Sequence, residues 1–324
     1  MDPSSPPPQL YTYNRIPSTH IRILVLSPAP DLTSPLRASL ETHAAVCLDT
    51  KLPIPLTYDA VSYFWGTAKP SVDMVCDEKA LRVTPTVNNM LRYLRKGTKE
   101  RRLWVDAICI NQGDGEEKSE QVRGMAYIYS CARKVRIWLG EASEEDGVGL
   151  AFEFLKRLPK VAQDSFSKNE YDSRVKNTMN WIDEDGAKEV GKLLSRPWFQ
   201  RRWVLQEYVL ATTLIVQCGM HVMQGEWFKQ AIKLMKQPTS RPDGRSRFPK
   251  AAQYTLDVFR NITAHRKDML DLLYTCNKSK CVDERDRLFA LNGLVHDKGK
   301  VNYRKSWVEI YTSFARRNVV TIDY

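Results

Sequence analysis

Glu207 ends the run Trp198-Phe-Gln-Arg-Arg-Trp-Val-Leu-Gln-Glu207, which reads as part of a dense apolar helix over residues 199–211. On such a helix Phe199, Trp203 and Glu207 share one face at i, i+4 and i+8. The place where a basic i−4 partner would sit is taken by Trp203. Glu207 is therefore expected to lack a local counter-ion. An unpaired buried carboxylate costs on the order of several kcal/mol or takes up a proton, so either a distant arginine pairs with it or the position serves a ligand. Asp106 poses the same question. It lies in the otherwise apolar run 103–110, near the C-terminal end of an expected strand, where open α/β sheets place ligands. Trp65, Gly66, Asn111 and Gln112 fall in strand-end loops at the same rim. An aromatic ring, a glycine that lets backbone approach, two amides and two carboxylates suit a ligand with ribose and amide groups. The same residues could equally cap strands and pin loops.

Other chemistries find less support. Gly186-Ala-Lys-Glu-Val-Gly-Lys192 satisfies most of a phosphate-binding loop but puts Leu193 where a hydroxyl must hold Mg²⁺, and no strand precedes it. An amphipathic helix is the better reading. G-x-S-x-G, H-E-x-x-H and G-x-G-x-x-G do not occur. The seven cysteines (Cys47, Cys76, Cys109, Cys131, Cys218, Cys276, Cys281) form no C-x-x-C pair, and no metal site is expected of them. Free, mostly buried thiols in a reducing compartment are expected, with Cys109 in the core rather than a nucleophile.

The chain of 324 residues carries 49 Lys and Arg against 38 Asp and Glu, a net +11, which permits an anionic partner without naming one. Arg92, Arg95, Lys96, Lys99, Arg101 and Arg102 cluster at a helix end, where cations complement the dipole. Only Tyr93 is interleaved with them, so solvated surface is expected and nucleic acid is not the expected partner. No stretch is long and apolar enough for a membrane span and no secretory leader opens the chain, which leads to the expectation of a cytoplasmic protein.

The elements that must position these groups follow an α/β alternation. Strands are expected at 21–26, 58–64, 103–110, 135–139 and 214–218, and helices at 84–97, 116–132 and 199–211. Residues 1–20, rich in proline and serine, are expected to be mobile. Residues 21–218 form the α/β domain, with a charged insertion at 141–185 outside the sheet and only a modest helix at 150–158. Residues 219–324 read as a mainly helical extension packed on it, broken by a basic loop at 238–249, with Ser306 and Glu309 as a capping box.

Five ordered segments carry a resemblance: Tyr58-Asp-Ala-Val-Ser-Tyr-Phe-Trp-Gly66, Leu103-Trp-Val-Asp-Ala-Ile-Cys-Ile-Asn-Gln112, Gln121-Val-Arg-Gly-Met-Ala-Tyr-Ile-Tyr129, Val135-Arg-Ile-Trp-Leu-Gly140, and Arg196-Pro-Trp-Phe199 through Gln206-Glu207. Together they resemble the fungal heterokaryon incompatibility (HET) domain across about residues 20–217. Asp283-Glu-Arg-Asp-Arg-Leu-Phe-Ala-Leu291 resembles its weaker distal part. Phe64 departs from the usual aliphatic residue, and a long insertion follows Gly140. The resemblance implies fungal non-self recognition and regulated cell death. HET domains are in turn similar to TIR domains, which implies a flavodoxin-like, mostly parallel sheet flanked by helices and an NAD+ nucleosidase activity with NAD+ as substrate and no cofactor. Glu207 then stands as the catalytic acid. Tyr63, Trp65, Gly66, Asp106, Asn111, Gln112, Arg202 and Trp203 stand as nucleotide-binding residues, with Trp65 or Trp203 stacking on a ring and Arg201 or Arg202 meeting the pyrophosphate. Such sites are completed by homo-oligomers or by partners carrying a nucleotide-oligomerisation module. The rival expectation is a non-catalytic death-signalling scaffold that assembles through the same surface. Family members often continue into further modules, and this chain, ending at Tyr324, reads as a short protein or an excised piece.

Overall fold

Every residue of Asp59–Tyr63 is buried, as only a central strand covered on both faces allows. The computed structural model, which describes residues 9–44, 57–163, 184–235, 248–262, 268–296 and 299–319, builds its sheet around that strand. In chain order the strands are β1 (His20–Leu26), β2 (Arg37–Ala44), β3 (Asp59–Tyr63), β4 (Val72–Cys76), β5 (Lys79–Val83), β6 (Arg101–Trp104), β7 (Lys134–Trp138), β8 (Leu214–Cys218) and β9 (His221–Gln224). Across the sheet they run β5-β4-β2-β1-β6-β3-β7-β8-β9. The central β6-β3-β7-β8 is parallel. β1 pairs antiparallel with both β2 and β6, and the hairpins β4-β5 and β8-β9 are antiparallel. The expected mostly parallel sheet is thus the middle of a mixed one. Within that middle, the strands stand in the order second, first, third, fourth, so the order in which parallel strands are added switches direction between β3 and β7.

Helices cover the sheet. α1 (Pro85–Leu94) starts as its sequence dictates, with Thr84 Oγ1 accepting from the Val87 amide at 3.2 Å and proline in the first turn. β6 stops at Trp104, and Asp106–Cys109 forms a single helical turn, α2. The strand expected over 103–110 is therefore half strand and half turn, and Asp106 stands just beyond the strand. α3 (Gly115–Cys131) is capped by Asp114, which accepts from the Glu116 and Glu117 amides. The expected insertion contains α4 (Val148–Gln163), which runs through Pro159 instead of ending before it. Residues 164–183 lie outside the described residues. The phosphate-loop look-alike falls in α5 (Glu184–Leu194), a helix with Val190, Leu193 and Leu194 buried.

The helix expected over 199–211 is broken. Pro197–Gln200 is a 3₁₀ turn, the chain is extended at Arg201, and α6 spans only Val204–Leu210. Pro197 removes a helical donor, and the Arg201 amide closes the turn on the Trp198 carbonyl. Next come α7 (Gly225–Leu234), α8 (Lys250–Ile262), α9 (Met269–Thr275), α10 (Asp286–Phe289) and α11 (Trp307–Val319). Ser306 and Glu309 form the expected capping box at the start of α11. α4 packs on α5 and α7, and α5 and α7 pack on α8, so insertion and extension share one helical layer. Trp198, Phe199, Tyr208, Phe228 and Phe259 interlock by ring contacts within it and tie α6 to the extension. Most of the basic loop at 238–249 lies outside the described residues.

Of the stretch 1–20 expected to be mobile, residues 1–8 are not described and the rest is pinned. The Tyr11 amide donates to the Ala80 carbonyl at 2.8 Å, Tyr13 Oη donates to the Ile108 carbonyl at 2.8 Å, and Ile16 is buried. No helix among the described residues is long and apolar enough to cross a membrane.

Candidate functional site

Two polar residues interrupt the otherwise apolar β3, and one of them meets the predicted acid. Ser62 Oγ donates a very short hydrogen bond to Glu207 Oε2 and accepts one from Trp198 Nε1 at 2.7 Å. Glu207 is 1% exposed. No cation stands within ion-pair distance of it among the described residues, but Arg201 lies close enough to act on its charge. That guanidinium donates to the Tyr63 carbonyl at the end of β3. Burial pushes the Glu207 carboxyl up to about 7, and the negative charge of Asp106 adds to the rise. Arg201 and the Ser62 bond act in the opposite direction.

Asp106 completes the pair. The end of β6 and the one-turn helix α2 hold it: its Oδ1 accepts from the Ala107 amide at 2.7 Å, and its Oδ2 accepts from Trp65 Nε1 at 2.8 Å. Burial raises this carboxyl too, with Arg201 the main opposing influence, followed by Trp65 and Tyr63. The Tyr63 hydroxyl, fully buried beside Asp106, lacks a well-aligned hydrogen bond, and burial and that carboxylate hold its proton tightly. Two buried acids, one arginine, a tyrosine, a serine and two tryptophans thus form one electrostatic cluster. It lies outside the C-terminal ends of β3 and β6, beside the point where strand order reverses. That is the position in which open α/β sheets form ligand sites.

The cluster gathers Glu207, Asp106, Tyr63 and Trp65 from among the residues singled out in the sequence. Trp65, 37% exposed, is its most accessible member. Gly66, at φ +76°, makes the turn out of β3 and carries only its backbone there. Gln112 stands behind the site, with its Nε2 donating to the Asp106 carbonyl at 2.9 Å. Asn111 turns away: its amide donates to Glu117 Oε1 at 2.7 Å and its side chain accepts from the Gly113 amide. Glu117 is in turn held by the buried Arg22, whose Nη2 donates to Oε2 at 3.0 Å.

Arg202 and Trp203 belong elsewhere, because the chain is extended rather than helical at Arg201. Arg202 is buried and donates to the Arg287 carbonyl at 2.9 Å and the Cys276 carbonyl at 2.5 Å. Trp203 Nε1 donates to Asp286 Oδ2 at 3.0 Å. Both anchor the C-terminal extension. Sequence reasoning missed Ser62 and Trp198, and gave Arg201 only as an alternative to Arg202. The available signal was a hydroxyl inside a strand otherwise buried and apolar. Cys109 is fully buried with its thiol pushed up to about 12, which suits a core position and not a nucleophile. No group of metal-ligating side chains occurs among the described residues.

Residues 58–207 match the family described as "Heterokaryon incompatibility protein (HET)". The matched segment begins at the strand that supplies Ser62 and ends at Glu207. Over 251 residues the chain is 32% identical to "Heterokaryon incompatibility protein 6, OR allele" of Neurospora crassa, a stretch covering 66% of this chain and 36% of that protein. The chain therefore spans only about a third of that relative's length. No solved structure matches the chain.

Proposed function

We propose that this chain, a HET-domain protein, takes part in heterokaryon incompatibility, and that its acid cluster cleaves the nicotinamide–ribose bond of NAD+ in an opened, assembled form. The central strand order of second, first, third, fourth is that of flavodoxin-like sheets, and the acids lie at their usual switch point, which supports a TIR-like reading of the fold. One observation carries the catalytic part: a buried carboxyl, Glu207, held by Ser62 with its pKa raised to about 7, has a second carboxyl beside it and no ion-paired cation among the described residues.

Breaking the bond to nicotinamide builds positive, oxocarbenium-like charge on the ribose. Ionised Glu207 in a dry site favours that charge more than it favours the ground state. Trp65 offers an indole face to a ring at the mouth, with its Nε1 fixed by Asp106. Arg201 supplies the local positive charge for a pyrophosphate. Since Glu207 is 1% exposed, nucleotide reaches it only after β3 and the Trp198 turn part, a change suited to assembly with further copies or a partner protein.

The test is nicotinamide release from NAD+ by purified chain, dilute and concentrated, beside Glu207→Gln. Release by the wild type that the variant abolishes is expected. No release from assembled chain, or release by E207Q at the wild-type rate, overturns the assignment. The enclosure of Glu207 favours a second reading, a non-catalytic signalling domain in which the Glu207–Ser62–Trp198 chain of bonds only fixes the fold. Under that reading E207Q provokes cell death as well as the wild type when expressed in a fungal host.

A further inference from the structure

The basic residues 92–102 separate by what each side chain holds. Arg92 donates to the Ser34 carbonyl at 3.1 Å, and Arg95 to the carbonyls of Pro35 at 2.9 Å and Asp31 at 2.7 Å. Those two fasten a loop. Arg102 pairs with Glu41. Arg101 pairs with no carboxylate among the described residues, and its Nε is buried without a hydrogen-bond acceptor.

Strand register explains what Arg101 faces instead. Asp59 on β3 stands opposite Leu103 on β6 and Lys134 on β7, so Arg101 and Arg136, each two residues away, share its face of the sheet. Both Asp59 oxygens are already taken. Oδ1 accepts from Arg133 Nε at 3.0 Å and Nη2 at 2.8 Å, and Oδ2 accepts from Arg136 Nε at 2.6 Å. Arg101 and Lys96 are therefore crowded against two arginines, with no ion-paired acid of their own among the described residues. Burial and the charges of Arg136 and Arg133 push Arg101 down to about 10, and burial, Arg101 and Arg133 lower Lys96 as well. Four cations surround one carboxylate, already bonded to two of them, at the N-terminal end of β3, the end of the strand away from Glu207.

We propose that Arg101, Arg133, Arg136 and Lys96 form a binding site for a phosphate-bearing anion. Planar guanidinium forks with a mobile ammonium fit the oxygens of a phosphoryl group, and a dianion relieves the crowding that Asp59 leaves uncompensated. The site is independent of the acid cluster, so its test does not depend on NAD+ cleavage.

Titration calorimetry of the full chain with inorganic pyrophosphate, at fixed ionic strength, reads it directly. Wild type is expected to bind one equivalent, and Arg101→Met to bind at least tenfold more weakly. Lys96→Met should weaken binding by a smaller factor, and Arg82→Met, on the remote hairpin, should leave it unchanged. In anion-free buffer R101M should melt no lower than the wild type, and pyrophosphate should raise the melting temperature of the wild type and of R82M by more than that of R101M. Equal binding by R101M, absence of binding by the wild type, or sulfate binding as well as pyrophosphate overturns the proposal. So does tight binding of single-stranded DNA without binding of pyrophosphate, which would mark an extended polyanion surface.

Discussion

Replacing Glu207 by glutamine should stabilise the protein in alkaline solution and do little in acid. The folded chain lifts this carboxyl from its ordinary 4.5 to about 7, chiefly by burial. Between those two values the folded state holds a proton that the unfolded state has released, so stability falls as pH rises through the window and levels off above it. At about 1.4 kcal/mol for each unit of pH, the whole window amounts to about 3 kcal/mol. Glutamine keeps the size of the side chain and an oxygen to accept from Ser62, but it never ionises. The measurement is the urea unfolding free energy of wild type and E207Q from about pH 5 to about pH 8, where titrations common to both cancel in the difference. E207Q should gain about 2 to 3 kcal/mol on the wild type between those limits, most of it before neutrality. A difference that stays flat across the range refutes the reasoning, because it would mean that burial does not hold a proton on Glu207.

Two further substitutions probe the same architecture. Arg201→Gln removes the nearest positive charge, so Glu207 should take up its proton at still higher pH. In the R201Q background the pH-dependent gain from E207Q should move to more alkaline values, and an unmoved midpoint would show that Arg201 does not act on the acid. Gly225→Ala drives a methyl group into Leu214 Cβ and places it 2.7 Å from Cγ and 2.8 Å from Cδ2, where α7 starts against β8. Overpacking there should cost about 1 to 3 kcal/mol, read by urea unfolding, and should leave the proposed nicotinamide release unchanged in the protein that remains folded.

The central strands were legible because β8 is apolar at four of its five positions, the β3 run is rich in apolar and aromatic residues, and β7 sets Val135, Ile137 and Trp138 against Lys134 and Arg136. The outer strands were not. β2 reads Arg-Ala-Ser-Leu-Glu-Thr-His-Ala with half-exposed positions throughout, and the β4-β5 hairpin turns on Asp77 and Glu78, both at positive φ without a glycine to mark the turn. Glu207 was found for a reason that holds only in part. The absence of a neighbouring cation in the sequence is matched by the absence of an ion pair among the described residues, yet the helical face shared with Phe199 and Trp203 does not exist. Pro197 and the extended Arg201 turn Trp203 toward Asp286 and bring Trp198 to Ser62 instead. Spacing along one element could not reveal Ser62, 145 residues away in the chain. Only the pairing of β3 between β6 and β7 brings it to the acid.

The two ends of β3 handle charge in opposite ways. At its start, Asp59 is given two arginines, and the surplus there is positive. At its finish, Ser62 and Tyr63 face two carboxyls that share one arginine, and the surplus is negative or protonated according to pH. A fold selected for stability alone has cheaper ways to fill the second position, since an apolar side chain of similar volume avoids the desolvation that Glu207 bears. If E207Q proves more stable at neutral pH while losing either nicotinamide release or the cell-death response, the carboxylate is there for its charge and not for its packing. If it loses neither, the bond to Ser62 is structural, and the position needs only a side chain of that length with an oxygen to reach β3.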